Sequence, residues 1–525
     1  MARPARVIAA SLSALLLVGA AAIALWFDWQ APPISWPVAS PPAVPVDAGA
    51  SRVICPAELR LATEASAGDD LIYDPAYDPR PSTVWTKLTA IVSGSSGGSS
   101  WLVGDTAKDP ATAPLAVLSQ TVGAQSLVVA AEATGDGSAL TGGGAIINVG
   151  DGDLRGLAGA SCFAPTAEAW LLGGSTEVGS SVRLTLVNPG GTAVQVDLTL
   201  WGPAGPIDAV GTSGLTLPPN SQRVIRLDGL ASASASLAVK VVATGGEIVA
   251  YIQHSRLDGL VSAGVDFVVP GASPMTNFVL PGVVSENSDL DTTDPTVLRL
   301  LAPGKHDAHV QVSLVGPQGV VDLPALEDLV VPSGVVTEVS LLGLAEGVYS
   351  ALISADRPVI AAAMSVEVGQ AVDTTPAEPD STPAEPDSSP AVEGSAPTAA
   401  VVPTRDIAWS AGANAPRRGF LPVVEGTRTI AGVTDSQVTL RVVAVNADGQ
   451  ESAEKTIEIN GGSTNLWTVA DLGGNEQTIG LRYSLQGSAI VGLATVVGDQ
   501  NAGTLTVLTP ADSAPLARHL PIQQH

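Results

Sequence analysis

A chain of 525 residues with 51 acidic against 24 basic side chains has a formal net charge of −27, and such a surface repels phosphate polymers and anionic lipid headgroups. Nucleic acid is therefore excluded as a partner. With 55 glycines, 40 prolines, 45% apolar and only 14% charged residues, the composition supplies several β domains and little helix.

Arg3 and Arg6 precede an apolar run from Val7 to Phe27, long enough to span a bilayer as a helix. The run continues past the small-residue stretch Val18-Gly19-Ala20 to Leu25, Trp26 and Phe27, which exceeds the apolar core of an ordinary cleaved signal. Residues 1–27 are therefore expected to form a cytoplasmic tip and a signal-anchor transmembrane helix, with a cleaved signal and a secreted product as the alternative. The arginines should stay cytoplasmic, Trp26, Trp29 and Trp36 should sit at the outer interface, and everything beyond Asp28 should be extracytoplasmic. Residues 28–50, rich in proline, read as an extended spacer.

Residues 51–166 read as an N-terminal β domain that holds the chain's two cysteines, Cys55 and Cys162. In an oxidising compartment these are expected to form one disulfide, with two buried thiols as the alternative. Short apolar runs between them suit strands, but no repeat is legible there.

Further along a repeat is legible. Val182, Leu184 and Leu186 alternate with Arg183 and Thr185, and beyond a turn Val194, Val196, Leu198 and Leu200 alternate with Gln195, Asp197 and Thr199. Period two predicts strands with one buried face, and Asn188-Pro189-Gly190-Gly191 between them predicts a hairpin turn. Pro189, Pro203, Pro218 and Leu230 return at one fixed spacing as Pro303, Pro317, Pro332 and Leu344. Self-similarity at the length of a small domain means tandem copies of one folded unit. A second landmark, running from Phe267 through Pro274 to Phe278, returns from Trp409 through Pro416 to Phe420, and Trp170 lies in a shorter form of it. The expected division is repeat 1 over 167–262, repeat 2 over 263–370 and repeat 3 over 404–510. Residues 371–403, which contain TPAEPDS twice, read as a disordered Pro/acidic insertion, and 511–525 as a loose tail.

Catalytic chemistry leaves few candidates. His306 and His309 have the spacing of a metal pair, but they fall at hairpin positions held by Thr192 and Gln195 in the preceding copy, and no further ligand is near in sequence. The letters of a nucleophile elbow at Gly94-Ser95-Ser96-Gly97-Gly98 sit in a Gly/Ser mixture without the strand-to-helix context. Glu286, Asp289, Asp291 and Asp294 form an acidic loop, a weak candidate for calcium or else a plain solvated loop. No cofactor is expected. Trp170 and Trp409 are expected in the core, whereas Trp85, Trp101, Trp201 and Trp467 remain open as sugar-stacking faces.

The apolar N-terminus, the cysteine placed just before AEAWLLGGS and the hairpin RLTLVNPGGTAVQVDLTLWGPAGPI together resemble a family. It is the uncharacterised family of membrane-anchored extracytoplasmic proteins of actinobacteria catalogued as a domain of unknown function. That resemblance implies an envelope-related location and assigns no catalytic residue. The expectation is thus an all-β ectodomain of tandem sandwich-like, immunoglobulin-like domains in a repeat array behind one transmembrane helix. It would serve as a non-enzymatic scaffold or interaction protein of the cell envelope, with an envelope protein or glycan as partner. A carbohydrate-binding or accessory module for envelope glycan assembly is the alternative, distinguished by whether one of the four open tryptophans is exposed beside a groove.

Overall fold

The computed structural model describes residues 43–46, 50–61, 80–93, 95–105, 109–111, 115–133, 139–286, 288, 292–372, 402–510 and 518–521. The expected transmembrane helix, the loop residues Asp289 and Asp291, and residues 373–401 of the expected insertion lie outside them. Among the described residues no helix is long and apolar enough to cross a membrane.

Two units are distinct. The smaller one contains an antiparallel pair, Ala43–Val46 with Arg518–Pro521, in which Val44 faces Leu520. Parts of the expected spacer and tail are thus strands: both segments are extended, and antiparallel pairing satisfies backbone groups that either would otherwise leave to water.

The larger unit, Asp47–Ala517, is all-β and its sheets are antiparallel. The alternation in the sequence becomes burial directly, since Val194, Val196, Leu198 and Leu200 are buried while Gln195, Asp197 and Thr199 are exposed. The preceding turn is closed by Asn188, whose Nδ2 donates to Thr192 O and Pro218 O, each at 2.8 Å, while Oδ1 accepts from Gly190 N at 2.9 Å. That is a physical reason for asparagine in the Asn-Pro-Gly turn.

Strand connectivity repeats four times. Copy 1 contains Ser51–Cys55, Val84–Ser93, Ser95–Leu102, Asp109–Ala111, Leu115–Gln120, Leu127–Ala133, Leu140–Val149 and Gly156–Ser161. Numbered in that order within the copy, its strands form one sheet 1-6-3-4 and a second sheet 5-2-7-8. Copy 2, from Glu168–Leu172 to Val261–Val268, copy 3, from Met275–Ser285 to Val402–Ala411, and copy 4, from Arg418–Pro422 to Thr504–Leu508, have the same two orders once one further short strand paired with strand 3, Leu215–Leu217 in copy 2 and Leu329–Val331 in copy 3, is left out of the numbering. In copy 3 strands 6 and 7 are one 26-residue strand, Gly347–Val372, that leaves the first sheet and enters the second. The N-terminal domain, where no repeat was legible, is therefore another copy of the same unit.

Three expectations are corrected. The boundary after residue 262 falls within strand 8 of copy 2, because Val261–Val268 pairs with Val249–Asp258 and so completes the preceding sheet. The same pairing joins Val402–Ala411 to Gly347–Val372, so the segment after the insertion closes copy 3 and does not open the next one, and residues 371, 372, 402 and 403 belong to that hairpin. The order is also not that of an immunoglobulin domain, where strand 7 flanks strand 6 and strand 1 flanks strand 2. Here strand 1 flanks strand 6 and strand 7 flanks strand 2, because the chain crosses between sheets after strand 6.

The four eighth strands pack against one another in a cycle, copy 1 on 2, 2 on 3, 3 on 4 and 4 on 1. Outside them, strand 1 of copy 3, Met275–Ser285, packs on Val491–Asp499 of copy 4, and strand 1 of copy 4, Arg418–Pro422, packs on Leu140–Val149 of copy 1. The apolar cores run through these boundaries. Ile91 of copy 1 shares a cluster with Phe420, Val445 and Ile479 of copy 4, and Trp409 of copy 3 lies in the core of copy 2. The larger unit is therefore a closed ring with an axis made of eighth strands.

Candidate functional site

At the axis two carboxylates are buried completely, Asp266 on strand 8 of copy 2 and Asp406 on strand 8 of copy 3. Asp406 Oδ2 accepts from Leu157 N of copy 1 at 2.7 Å and Leu505 N of copy 4 at 3.0 Å. Its Oδ1 accepts from Val265 N of copy 2 at 3.2 Å and from its neighbour Ile407 N at 2.9 Å. One side chain thus takes a backbone N–H from every copy. Asp266 forms a second layer, accepting from Gly159 N at 3.0 Å, Thr506 Oγ1 at 2.9 Å and Trp409 N at 2.7 Å.

Burial outweighs these hydrogen bonds for both groups. It raises Asp406 from 3.8 to about 7, with the amides of Leu505, Leu157, Ile407 and Val265 pulling the other way. Asp266 is pushed well above the usual carboxyl range for the same reason. Room for the carboxylate comes from glycine: a Cβ at Gly156 would lie 2.4 Å from Asp406 Oδ1, and one at Gly264 would lie 2.5 Å from Ile407 N. The axial acids therefore act as structural pins.

The sequence candidates are scattered. Cys55 and Cys162 form the disulfide, joining strand 1 of copy 1 to the residue after its strand 8. Of the acidic loop, Asp294 pairs with Arg256 at 3.1 Å. Glu286 is raised by burial and by the neighbouring Glu367 and Glu346, against a hydrogen bond from Val368 N. Among the described residues no group of His, Cys, Asp and Glu has the arrangement of a metal site. His306 and His309 are exposed, His309 on a strand facing Val330. Ser95–Leu102 is a strand, so the Gly/Ser segment has no strand-to-helix turn from Ser95 onward.

The tryptophans divide. Trp409 is buried, its Nε1 donating to His254 Nδ1 at 3.2 Å. Burial, then the cations Arg256 and Arg299, push His254 well below the usual imidazole value and keep it neutral. Trp101 is buried with Nε1 donating to Asn220 Oδ1 at 3.2 Å, Trp467 packs in the core of copy 4, and Trp85 is exposed. Trp170 and Trp201 stack, centroids 5.5 Å apart and planes 21° apart, and line a cleft between copies 2 and 3. Trp170 is buried in the core of copy 2 as the sequence led one to expect, and Trp201 beside it is buried too, whereas sequence reasoning overlooked the axial acids, His254 and the cleft. The signal for Asp266 was a lone acid inside VDFVVP, a strand otherwise too apolar to present a charge to water.

Fold and site together define a class: a closed ring of repeated two-sheet β units pinned at its axis by buried carboxylates. The chain belongs to the family of unknown function DUF5719, which matches residues 117–470, more than half of the chain and including both axial aspartates. No curated protein matches it.

Proposed function

We propose that this protein is a non-enzymatic scaffold or interaction protein of the cell envelope, an array of sandwich-like units held outside the membrane by an N-terminal signal anchor. The observation that carries the reading is ring closure. Strand 8 of every copy is consumed in the cycle, whereas strands 4 and 5 lie at the opposite ends of the two sheet orders. Edges held rigidly at several places on one body suit partners that add a strand or grip a loop. The anchor and the outward location rest on the apolar run from Val7 to Phe27 with its preceding arginines.

The test is crosslinking of the tagged full chain in its own membranes, followed by affinity capture and mass spectrometry. A recurrent envelope partner crosslinked to strands 4 and 5 is the expected outcome. Capture of the chain alone overturns the reading, as does cytoplasmic protection of the bulk of the chain when intact cells are treated with protease.

A further inference from the structure

The cleft beside the stacked tryptophans has a composition at odds with the rest of the molecule. Trp170, Lys240 and Thr199 form a row across three neighbouring strands of copy 2, because Trp170 faces Lys240 and Lys240 faces Thr199. The row lies on the outer face of the sheet, since Val239 and Val241, the neighbours of Lys240, are buried in the core. Copy 3 borders it with the hairpin Pro303-Gly304-Lys305-His306 and with Arg357-Pro358 in the strand Gly347–Val372, leaving an open cleft of about 510 Å³.

Lys240, Lys305 and Arg357 line this cavity and no carboxylate does, although acids outnumber bases 51 to 24 in the chain. Glu168 balances Lys240 from outside the lining, with Oε2 3.0 Å from Lys240 Nζ and Oε1 accepting from Trp170 Nε1 at 2.7 Å. Lys240 is further held over the Trp170 ring, 5.1 Å from its centroid. Lys305 and Arg357 are exposed. Cations on low-dielectric walls concentrate the field in a cleft, even when the whole surface is negative.

We propose that this cleft binds an anionic saccharide, a sugar bearing a carboxylate or a phosphate. The volume suits a small ligand of one or two rings. Pro303 and Pro358 offer apolar contact to a sugar ring at the rim, over tryptophans that are themselves almost wholly buried, and Arg357 presents the planar fork that carboxylate and phosphate oxygens accept in pairs. A long polyanion is disfavoured by the net charge of −27, so the ligand is a short saccharide or the terminal unit of a chain. The assignment goes beyond the scaffold reading and does not depend on it.

Calorimetric titration of the full chain in detergent tests it with five probes: glucuronic acid, glucose 1-phosphate, glucose, inorganic phosphate and a short acidic peptide. At least one anionic sugar should bind about tenfold more tightly than glucose and than inorganic phosphate, the carboxylate and phosphate sugars telling the two chemistries apart. Arg357→Ala and Lys305→Glu should each weaken it about tenfold with an unchanged thermal midpoint, as expected for exposed residues. The assignment is overturned by silence from both anionic sugars, by glucose binding equally well, by phosphate or the peptide binding better, or by unchanged affinity in both variants. None of these results affects capture of a protein partner at the sheet edges.

Discussion

At the scale of single residues the decisive group is Asp406, whose carboxylate takes two backbone N–H bonds on each oxygen. In Asp406→Asn one oxygen becomes an NH2 group facing two donors. Two buried amides then lose their acceptor, at about 1–3 kcal/mol each, so the variant should lose about 2–5 kcal/mol in urea unfolding. The pH dependence has a definite sign. Because Asp406 titrates near 7 in the folded chain against 3.8 as an ordinary aspartate, the folded state binds more protons between those values. Its contribution to stability is therefore full at low pH and is lost as pH rises towards 7. The carboxamide of the variant cannot titrate, so the gap between parent and variant should be wider near pH 5 than near pH 7.5, and a gap independent of pH would show that burial does not dominate at this carboxylate. The cysteines give a simpler expectation: with Cys55 and Cys162 bonded, thiol labelling of the unfolded chain should find two sites after reduction and none before.

At the scale of elements the eighth strands are unusual because they are buried on both faces. Gly156–Ser161, with sequence GLAGAS, is buried at every position. Gly264 has φ +109°, and a Cβ there would lie 2.7 Å from Asp406 Cα as well as against Ile407 N. Gly264→Ala should therefore cost at least about 2 kcal/mol, whereas Gly191→Ala, with nothing within 4 Å of the added Cβ, should be close to neutral. Equal stability of the two variants in urea would contradict the tight axial packing. Arg299 joins two copies in a comparable way. It donates Nη1 to Gly174 O at 2.6 Å and Nη2 to Ala235 O at 3.1 Å, pairs through Nε with Glu338 Oε2 at 2.7 Å, and sits 5.0 Å over Trp409. Lysine has no planar fork, so Arg299→Lys should leave carbonyls of copy 2 unpaired and lower stability by about 1–3 kcal/mol, read from the urea midpoint. These elements also mark what the sequence could disclose. The hairpins of copies 2 and 3 were legible because they are buried on one face, which writes period two into Val194 to Leu200. Copy 1 was not, since its third strand reads SSGGSSWL and carries no alternation. The eighth strands were not legible either, because a strand enclosed on both sides has no polar face to betray its register. Asp406 was not singled out by the sequence, and only the cycle of four strands gives it a role.

At the scale of the molecule, closure separates this protein from an open string of repeats. In an open array each unit touches only its neighbours, stability adds along the chain, and terminal units fray. Here copy 1 and copy 4 share apolar clusters, Ile146 and Leu157 with Val497 and Leu508, and Ile91 with Phe420. Each axial carboxylate also needs the other copies present to satisfy it. No copy can leave without exposing core on two sides and stranding buried carboxylates, so the ring should unfold in one step. Scanning calorimetry of the full chain should show a single endotherm for this unit, with calorimetric and van't Hoff enthalpies equal. The disulfide sharpens the test, because it spans 107 residues and lies wholly within copy 1. Its removal should cost about 4 to 5 kcal/mol if loop entropy in the unfolded chain governs the effect. If the copies were independent, reduction would move one transition and leave the others in place. In a closed ring it should carry the whole endotherm to lower temperature by several degrees while keeping it single, and a second peak that stays put would break the argument from closure.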